Sequence, residues 1–491
     1  MDVVYIVGPV ILISVVLASV WLDRWSVPVI LIALGAGICF GSDVLKLWSF
    51  DDIELTNQVA NLALVFILFY GGFSTKRSDL RKVALPAGAL ATAGVVLTAG
   101  VTFAALHLVF GWAFEKAILL AVIVSSTDAA AIFSILRRQS LPKKLSSTVE
   151  IESGANDPMA ILLTVGVVEA LTIGRSPLPV MALTFAWQFG AATLLGWLVA
   201  RGSLWIFNHF TPQDRGHFYV LTLGIVLLVY GLATLIESSG MLAVFVAGFV
   251  MSNQPFIHKQ GVANFSSAVS TVANIGMFVM LGLQVFPHQW GAIWKEGILL
   301  FLVLTFVARP LAVNVATLGM RLGWKNKVFI AWAGLRGAVP IVLATYPMAA
   351  GIAVGEEIFN LVFFAVLLSV AVQGGTLATL ARWLKLTVPR RPSPMFHLEL
   401  VTMAASDLDL VVIDLPGPQS ILGPAIADLS LPSGSVIALI ARGNDLVVPK
   451  GTTNLHGWDQ VSVLAHANDE TQIRSVLLQA FEPDPDAEPS H

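Results

Sequence analysis

Apolar residues in this chain run in blocks much longer than a soluble core requires. Thirteen such blocks lie near 3–22, 27–41, 57–74, 83–107, 113–136, 145–173, 180–207, 217–236, 240–252, 264–285, 290–318, 326–349 and 355–383. Most approach or exceed the roughly 20 apolar residues that carry a helix across a bilayer, while the second and ninth are short. Past residue 397 the period changes from helical to two. The runs LELVTMAA, LDLVVIDL, SVIALIAR, DLVVPK and QVSVLAHA read as short strands, and one helical stretch fits 472–479. The pattern therefore predicts an all-α polytopic membrane domain over 1–385 and a small α+β domain over 398–481. Between them, 386–397 holds three prolines and reads as a linker; 482–491 is acidic and proline-rich and reads as disordered.

Composition sharpens the division. The sequence is 56% hydrophobic and only 12% charged, about half the charge of a soluble domain. Residues 1–396 hold 25 Lys and Arg against 18 Asp and Glu, whereas 397–491 hold 3 against 13. The block at 3–22 lacks a basic leader and a small-residue cleavage site, so it is expected to be a first span and not a signal peptide. Cys39, inside an apolar block, has no cysteine to pair with.

Loop charge then orients the spans. After odd-numbered spans the loops carry 19 basic residues; after even-numbered ones they carry four, Lys46, Lys116, Arg175 and Lys295. The positive-inside rule places the N-terminus outside and the C-terminus in the cytoplasm, which an odd count of thirteen requires.

Against this apolar background a few ionisable residues sit at mid-span depth. Asp128 lies nine residues before Arg137, and Asp157 thirteen after Lys144. At about 1.5 Å per residue both fall near the centre of a hydrocarbon core about 30 Å thick. Arg336 lies nine residues beyond Lys327, at the same depth. Its surroundings, Gly334-Leu335-Arg336-Gly337-Ala338-Val339-Pro340, are a poor helix and predict a break in the twelfth span. Ser125-Ser126-Thr127-Asp128 predicts a break in the fifth, because those side chains compete for backbone hydrogen bonds. Spans five and twelve are seven apart and run in opposite directions, as inverted repeats of spans 1–6 and 8–13 demand. Interrupted helices in corresponding places point to a transport site.

Span six carries the densest polar set, Glu152, Ser153, Asn156, Asp157 and then Pro158. Glu152 and Asn156 share one face, Ser153 and Asp157 the next. Oxygens of Thr127, Asp128, Ser153 and Asp157 suit a dehydrated alkali cation. Arg336 is expected to neutralise Glu152, since an unpaired buried acid is costly. The partner of Arg309, a second cation within the spans, is not readable from sequence.

The stretches TDAAAIFSILRR, ESGANDPMAILLT and GLRGAVPIVLAT resemble the signatures of the monovalent cation:proton antiporter-1 family, most closely its bacterial potassium/proton branch. The resemblance covers 1 to about 385. It implies that Asp157 binds cation and proton in turn, with Thr127, Asp128 and Ser153 completing or adjoining the site. Asn156, in place of a second aspartate, implies electroneutral exchange of one cation per proton. Glu152 and Arg336 would form a structural ion pair, two broken helices would cross, and a homodimer would sit in the bacterial inner membrane. The core over 421–464 resembles the C-terminal lobe of the regulator-of-potassium-conductance domain, which implies a regulatory module with a possible nucleotide or other small-molecule effector. No GxGxxG in a strand–helix context precedes it.

Other classes fit less well. A channel would need a continuous ring-lined pore, and no TVGYG-like loop occurs. A hydrolase would need a nucleophile beside a base, and no histidine lies deep in a span beside a serine or cysteine. Neither enzymatic chemistry, a bound cofactor nor a nucleic-acid partner is expected. The alternative within the antiporter class is exchange of sodium or lithium for protons.

Overall fold

The structure, a computed structural model, describes residues 2–22, 28–41, 44–46, 48, 52–128, 132, 141–172, 178–210, 214, 216–285, 288, 290–387, 408–417, 420–443, 445–466 and 469–481. The chain divides into two compact units, Met1–Phe207 with Asp214–Val388, and Asn208–Gln213 with Pro389–His491.

Among the described residues the regular elements of the larger unit are all helices. Its helices are α1 (Asp2–Leu22), α2 (Val29–Phe40), α3 (Ile53–Ser74), α4 (Arg77–Ala89), α5 (Val95–Ala104), α6 (Phe114–Ile123), α7 (Lys143–Thr172), α8 (Leu178–His209) and α9 (Gly216–Leu235). They continue as α10 (Gly240–Ser252), α11 (Lys259–Leu283), α12 (Trp290–Leu302), α13 (Arg309–Ala316), α14 (Trp324–Ala333), α15 (Ala338–Ala349), α16 (Gly355–Leu368) and α17 (Gly375–Trp383). Among the described residues nine helical runs are long and apolar enough to cross a bilayer, and ten if the bent pair α14 and α15 is one span. α2 and α10 are shorter apolar helices. The fifth expected span is described only at α6, the stretch that follows it to Asp128, and Ile132. The finding is thus a polytopic helical fold of nine to ten long spans; the thirteen-span and inverted-repeat readings are finer than this.

Local sequence explains several boundaries. The Asp52 side chain accepts from the Leu55 N–H at 2.9 Å and starts α3. Pro310 lies inside the continuous run Ile293–Ala316, two residues past the π turn Val303–Ala308, where the widened turn accommodates a residue with no N–H to donate. Three π-helical turns, Leu90–Gly94, Val303–Ala308 and Ser369–Gly374, interrupt long runs without ending them, and a fourth, Ala105–Val109, closes the run that begins in α4.

Packing sorts the helices into two bundles. α1, α2 and α3 pack with α9, α10 and α11, while α4 to α7 pack with α12 to α17. Between the bundles the interface is thinner. It includes α15 against α3, where Asn57 Nδ2 donates to Thr345 Oγ1 at 2.8 Å, and α7 against α10, where the Phe245 ring lies over Gly154.

The second unit is α+β. β1 (Leu408–Asp414), β3 (Val436–Arg442), β4 (Asp445–Val447) and β6 (Gln460–His466) form an antiparallel sheet in the order β1-β6-β3-β4. β2 (Leu422–Ala425) and β5 (Asn454–His456) form a separate two-stranded ribbon, and α18 (Glu470–Gln479) closes the core through Ile473 and Leu477. Arg442 grips the buried Asp459 with two donors, Nε to Oδ1 at 2.9 Å and Nη2 to Oδ2 at 2.8 Å. The alternating runs at 408–415, 435–442, 445–450 and 460–467 were legible as strands. β2 and β5, at four and three residues, are too short to show a period. The expected strand at 398–405, most of the expected linker and the acidic tail lie outside the described residues.

Candidate functional site

The site is assembled where two helices stop. α14 ends at Ala333 and α15 begins at Ala338, bent by 49° across the gap. α6 ends at Ile123, and residues 124–128 leave the helix. Both breaks fall where glycine or hydroxyl side chains made them expected.

Breaking a helix in an apolar interior exposes backbone groups that need partners, and here each broken end helps to satisfy the other. The Asp128 N–H donates to the Leu335 carbonyl at 2.8 Å, and the Ala338 N–H donates to Asp128 Oδ2 at 3.3 Å. The Arg336 N–H donates to Ser369 Oγ at 3.0 Å, and Ser369 Oγ donates to Gln373 Oε1 at 2.6 Å. Gln373 Nε2 donates to the Trp332 carbonyl at 3.1 Å, and Arg336 Nη1 to the Gly334 carbonyl at 3.3 Å. Ser369 and Gln373 belong to the π turn Ser369–Gly374. The carboxylate of Asp128 thus sits at the positive N-terminal end of α15.

The two glycines of the gap admit charged neighbours. A Cβ on Gly337 would overlap the Asp128 carboxylate, and one on Gly334 would overlap the Arg309 guanidinium. Close approach, more than turn geometry, is what these glycines provide.

α7 supplies the opposing wall. Ser153, Asn156 and Asp157 are all buried on it, beside Pro158. Asn156 Nδ2 donates to Thr127 Oγ1 at 2.6 Å, and Thr127 Oγ1 and Ser153 Oγ share a hydrogen bond of 2.8 Å. These bonds tie α7 to the break after α6. Several oxygens in this region have no hydrogen-bond partner within the protein: Asp157 Oδ1, Asn156 Oδ1 and Ser126 Oγ. Asp157 is 2% exposed and close enough to Asp128 for each to feel the other's charge. Among the described residues no group of three or more His, Cys, Asp or Glu is arranged to hold a metal ion. One or two carboxylates with hydroxyl and amide oxygens make a hard-oxygen environment suited to an alkali cation.

One expected pairing is corrected. Glu152 Oε1 accepts from Arg309 Nη2 at 2.6 Å, with both side chains buried. Arg336 makes no ion pair with Glu152; it stands beside the pair as a charge neighbour, with its Nε and Nη2 unpartnered in the protein. Sequence placed both Arg309 and Arg336 within the spans, but which one faces Glu152 depends on helix rotation. The π turn Val303–Ala308 immediately precedes Arg309 and shifts its direction. A small cavity of about 10 Å³ lies between the two arginines, lined also by Thr305, Ser369 and Gln373.

At the other end of α6, Lys116 Nζ meets Glu296 Oε2 at 2.6 Å and Glu357 Oε1 at 2.7 Å. That contact anchors the half-helix leading to Thr127 onto α12 and α16. The sequence showed Lys116 only as a loop charge.

With this geometry in view, likeness to known proteins is informative. Residues 10–383 match the family described as sodium/hydrogen exchanger, transmembrane. The chain is 35% identical over 487 residues to the K(+)/H(+) antiporter NhaP2 of Shewanella oneidensis, covering 98% of this chain and 84% of that protein. It is 28% identical over 372 residues to the Na(+)/H(+) antiporter NhaP of Pseudomonas aeruginosa, covering 70% of this chain and 85% of the other. In fold it is similar to the sodium proton antiporter MjNhaP1 of Methanocaldococcus jannaschii at pH 8. That match has a TM-score of 0.68 at 23% identity, over 78% of this chain and 99% of the other.

Proposed function

Because this chain belongs to the sodium/hydrogen exchanger family of cation:proton antiporters, we propose that it exchanges potassium for protons, with both ligands competing for Asp157. The observation that carries this reading is the buried Asp157 carboxylate, whose Oδ1 has no protein partner, on a helix tied by Thr127 to one of two interrupted spans. Thr127, Ser153 and Asp128 would complete the cation's oxygen shell. Asn156 would hold Thr127 through its amide and offer its free carbonyl oxygen. Glu152 and Arg309 would be scaffold, with Arg336 balancing charge beside them.

Charge counting supports one cation per proton. Among the described residues of the membrane unit, the buried charged side chains are Asp128, Glu152, Asp157, Arg309 and Arg336. Three acids against two arginines leave one negative charge, which either one proton or one monovalent cation removes. An empty site would keep that charge buried at low dielectric, so the state holding neither ligand is disfavoured. Obligatory exchange follows without a separate gate.

The remaining parts fit the same reading. The two bundles would move past one another to alternate access, and α2, α10 and the α6 segment would bring the spans to thirteen with inverted repeats. Loop charge favours an external N-terminus and a cytoplasmic C-terminus in the bacterial inner membrane. The α+β unit would act as a regulatory lobe of the potassium-conductance type, possessing an effector site for a nucleotide or similar small molecule, and the whole would work as a homodimer. Potassium is favoured over sodium because near-full-length likeness is to a protein named as a K(+)/H(+) antiporter, whereas likeness to the named Na(+)/H(+) antiporter covers 70% of this chain.

The test is cation-driven proton movement in vesicles containing the purified protein, with potassium, sodium and lithium supplied in turn. Asp157→Asn should fold and should not exchange. In the unaltered protein the apparent potassium affinity should weaken as pH falls, because protons then occupy the shared carboxylate more of the time. Robust exchange by Asp157→Asn over roughly pH 6 to 9, a range around neutrality where a buried carboxylate can titrate, would overturn the assignment. Exchange with sodium but not potassium would select the sodium reading.

A further inference from the structure

Away from the charged centre, the second bundle carries a cavity of about 490 Å³ on the flank formed by α13 and α14. Its lining includes Phe306, Asn314, Trp324, Lys327, Val328 and Trp332. The Phe306 and Trp332 rings meet edge to face with centroids 5.8 Å apart and make an apolar floor. Trp332 turns its one polar atom aside, donating from Nε1 to Thr376 Oγ1 at 3.0 Å. Phe306, Trp324 and Val328 are exposed beside the opening, as is the adjacent Leu311. In a helix bundle that spans a bilayer, such a flank faces lipid.

The charge at the opening is unusual for such a place. Lys327 is half-buried in the cavity wall, and no carboxylate of the described residues lies within ion-pair distance of it. Its neighbours in the same short segment, Arg321 and Lys325, are also basic, and Lys325 lies over the Trp324 ring. A partly desolvated cation without a counter-charge, above an aromatic floor, is complementary to a molecule with an anionic head and an apolar tail. It lies in the first turn of α14, where the span begins and headgroups lie. The volume is within the range of small-molecule pockets, enough for a headgroup with the upper part of one chain.

We infer that this groove binds a bilayer phospholipid with an anionic headgroup, its phosphate on Lys327 and an acyl chain along Phe306 and Trp332. Such a lipid braces α14, the half-helix that ends at the break beside Arg336. The groove also backs onto the charged centre, since Thr305 lines both this cavity and the small one between the arginines. The inference is independent of which cation is exchanged.

The experiment uses the full-length protein, purified in neutral detergent and stripped of lipid, and follows its melting temperature. Phosphatidylglycerol should raise it by several degrees, as a ligand of the folded state does, phosphatidylcholine should do so much less, and inorganic phosphate not at all. Lys327→Ala should lose the difference between the two lipids, and Lys327→Arg should keep it. Asn314→Trp, which fills the groove from an exposed position, should lose it too, whereas Lys325→Ala should retain it. Equal stabilisation by both lipids, or an undiminished phosphatidylglycerol effect in Lys327→Ala and Asn314→Trp, overturns the inference. So does stabilisation by phosphate alone. Disulfide formation between copies through Asn314→Cys, in protein carrying Cys39→Ser, would show instead that a second copy covers the groove.

Discussion

Glu152 and Arg309 illustrate what burial does to a single residue. Each side chain is almost fully enclosed, and they meet at 2.6 Å. Replacing two such ions by apolar groups can be nearly neutral, but removing one strands the other. Glu152→Gln should therefore cost about 3–5 kcal/mol of stability through the stranded Arg309, and the double variant Glu152→Gln with Arg309→Met should recover part of that loss. Thermal melting of the purified variants measures both. If Arg336→Met rescues Glu152→Gln instead, the partner assigned by the structure is wrong. Asp157 differs in kind. It has no guanidinium bonded to it and an oxygen left without a partner, so its removal should change transport more than folding.

At the scale of elements, the informative feature is that two helix breaks meet. The gap between α14 and α15 works because the other broken span fills it: Asp128 donates to Leu335 and accepts from Ala338. Gly337 leaves space for that carboxylate, and a methyl group there would overlap it. Gly337→Ala should destabilise the protein by about 1–3 kcal/mol, as overpacking does, and should impair exchange beyond what the lost stability explains. A conventional helical glycine at an open position, such as Gly276, around which a Cβ meets nothing within 4 Å, is the control. Equal behaviour of Gly337→Ala and Gly276→Ala in melting and in vesicle exchange would refute this account. Both interruptions were legible, because glycine, proline and hydroxyl residues each weaken a helix by a known route. The π turns were not. Their residues, such as Val303-Leu304-Thr305-Phe306-Val307-Ala308, are ordinary span residues, and the extra residue per turn is imposed by packing.

For the whole molecule the two units make separate predictions. All the buried charges assigned to exchange lie before residue 388, so protein truncated after that residue should still exchange cations for protons in vesicles. Its dependence on pH, cation concentration or an added effector should change; complete loss of exchange in well-folded truncated protein would make the second unit part of the transport machinery. The division into an apolar helical part and an alternating α+β part was already determined by the sequence, because burial in lipid and burial in a small sheet demand different periods. Sequence likewise determined how far Asp128, Asp157 and Arg336 lie along their apolar runs, since rise per residue is nearly constant in a helix. It determined the places of the two interruptions and the clustering of Ser153, Asn156 and Asp157 on one helix. What only the tertiary structure decided is rotation and partnership: that Glu152 bonds Arg309, that Thr127 joins Ser153 and Asn156, and that Lys116 reaches Glu296 and Glu357. Each of those contacts links segments far apart in the chain, and a helix's own sequence specifies how deep a side chain sits but not which neighbour it faces.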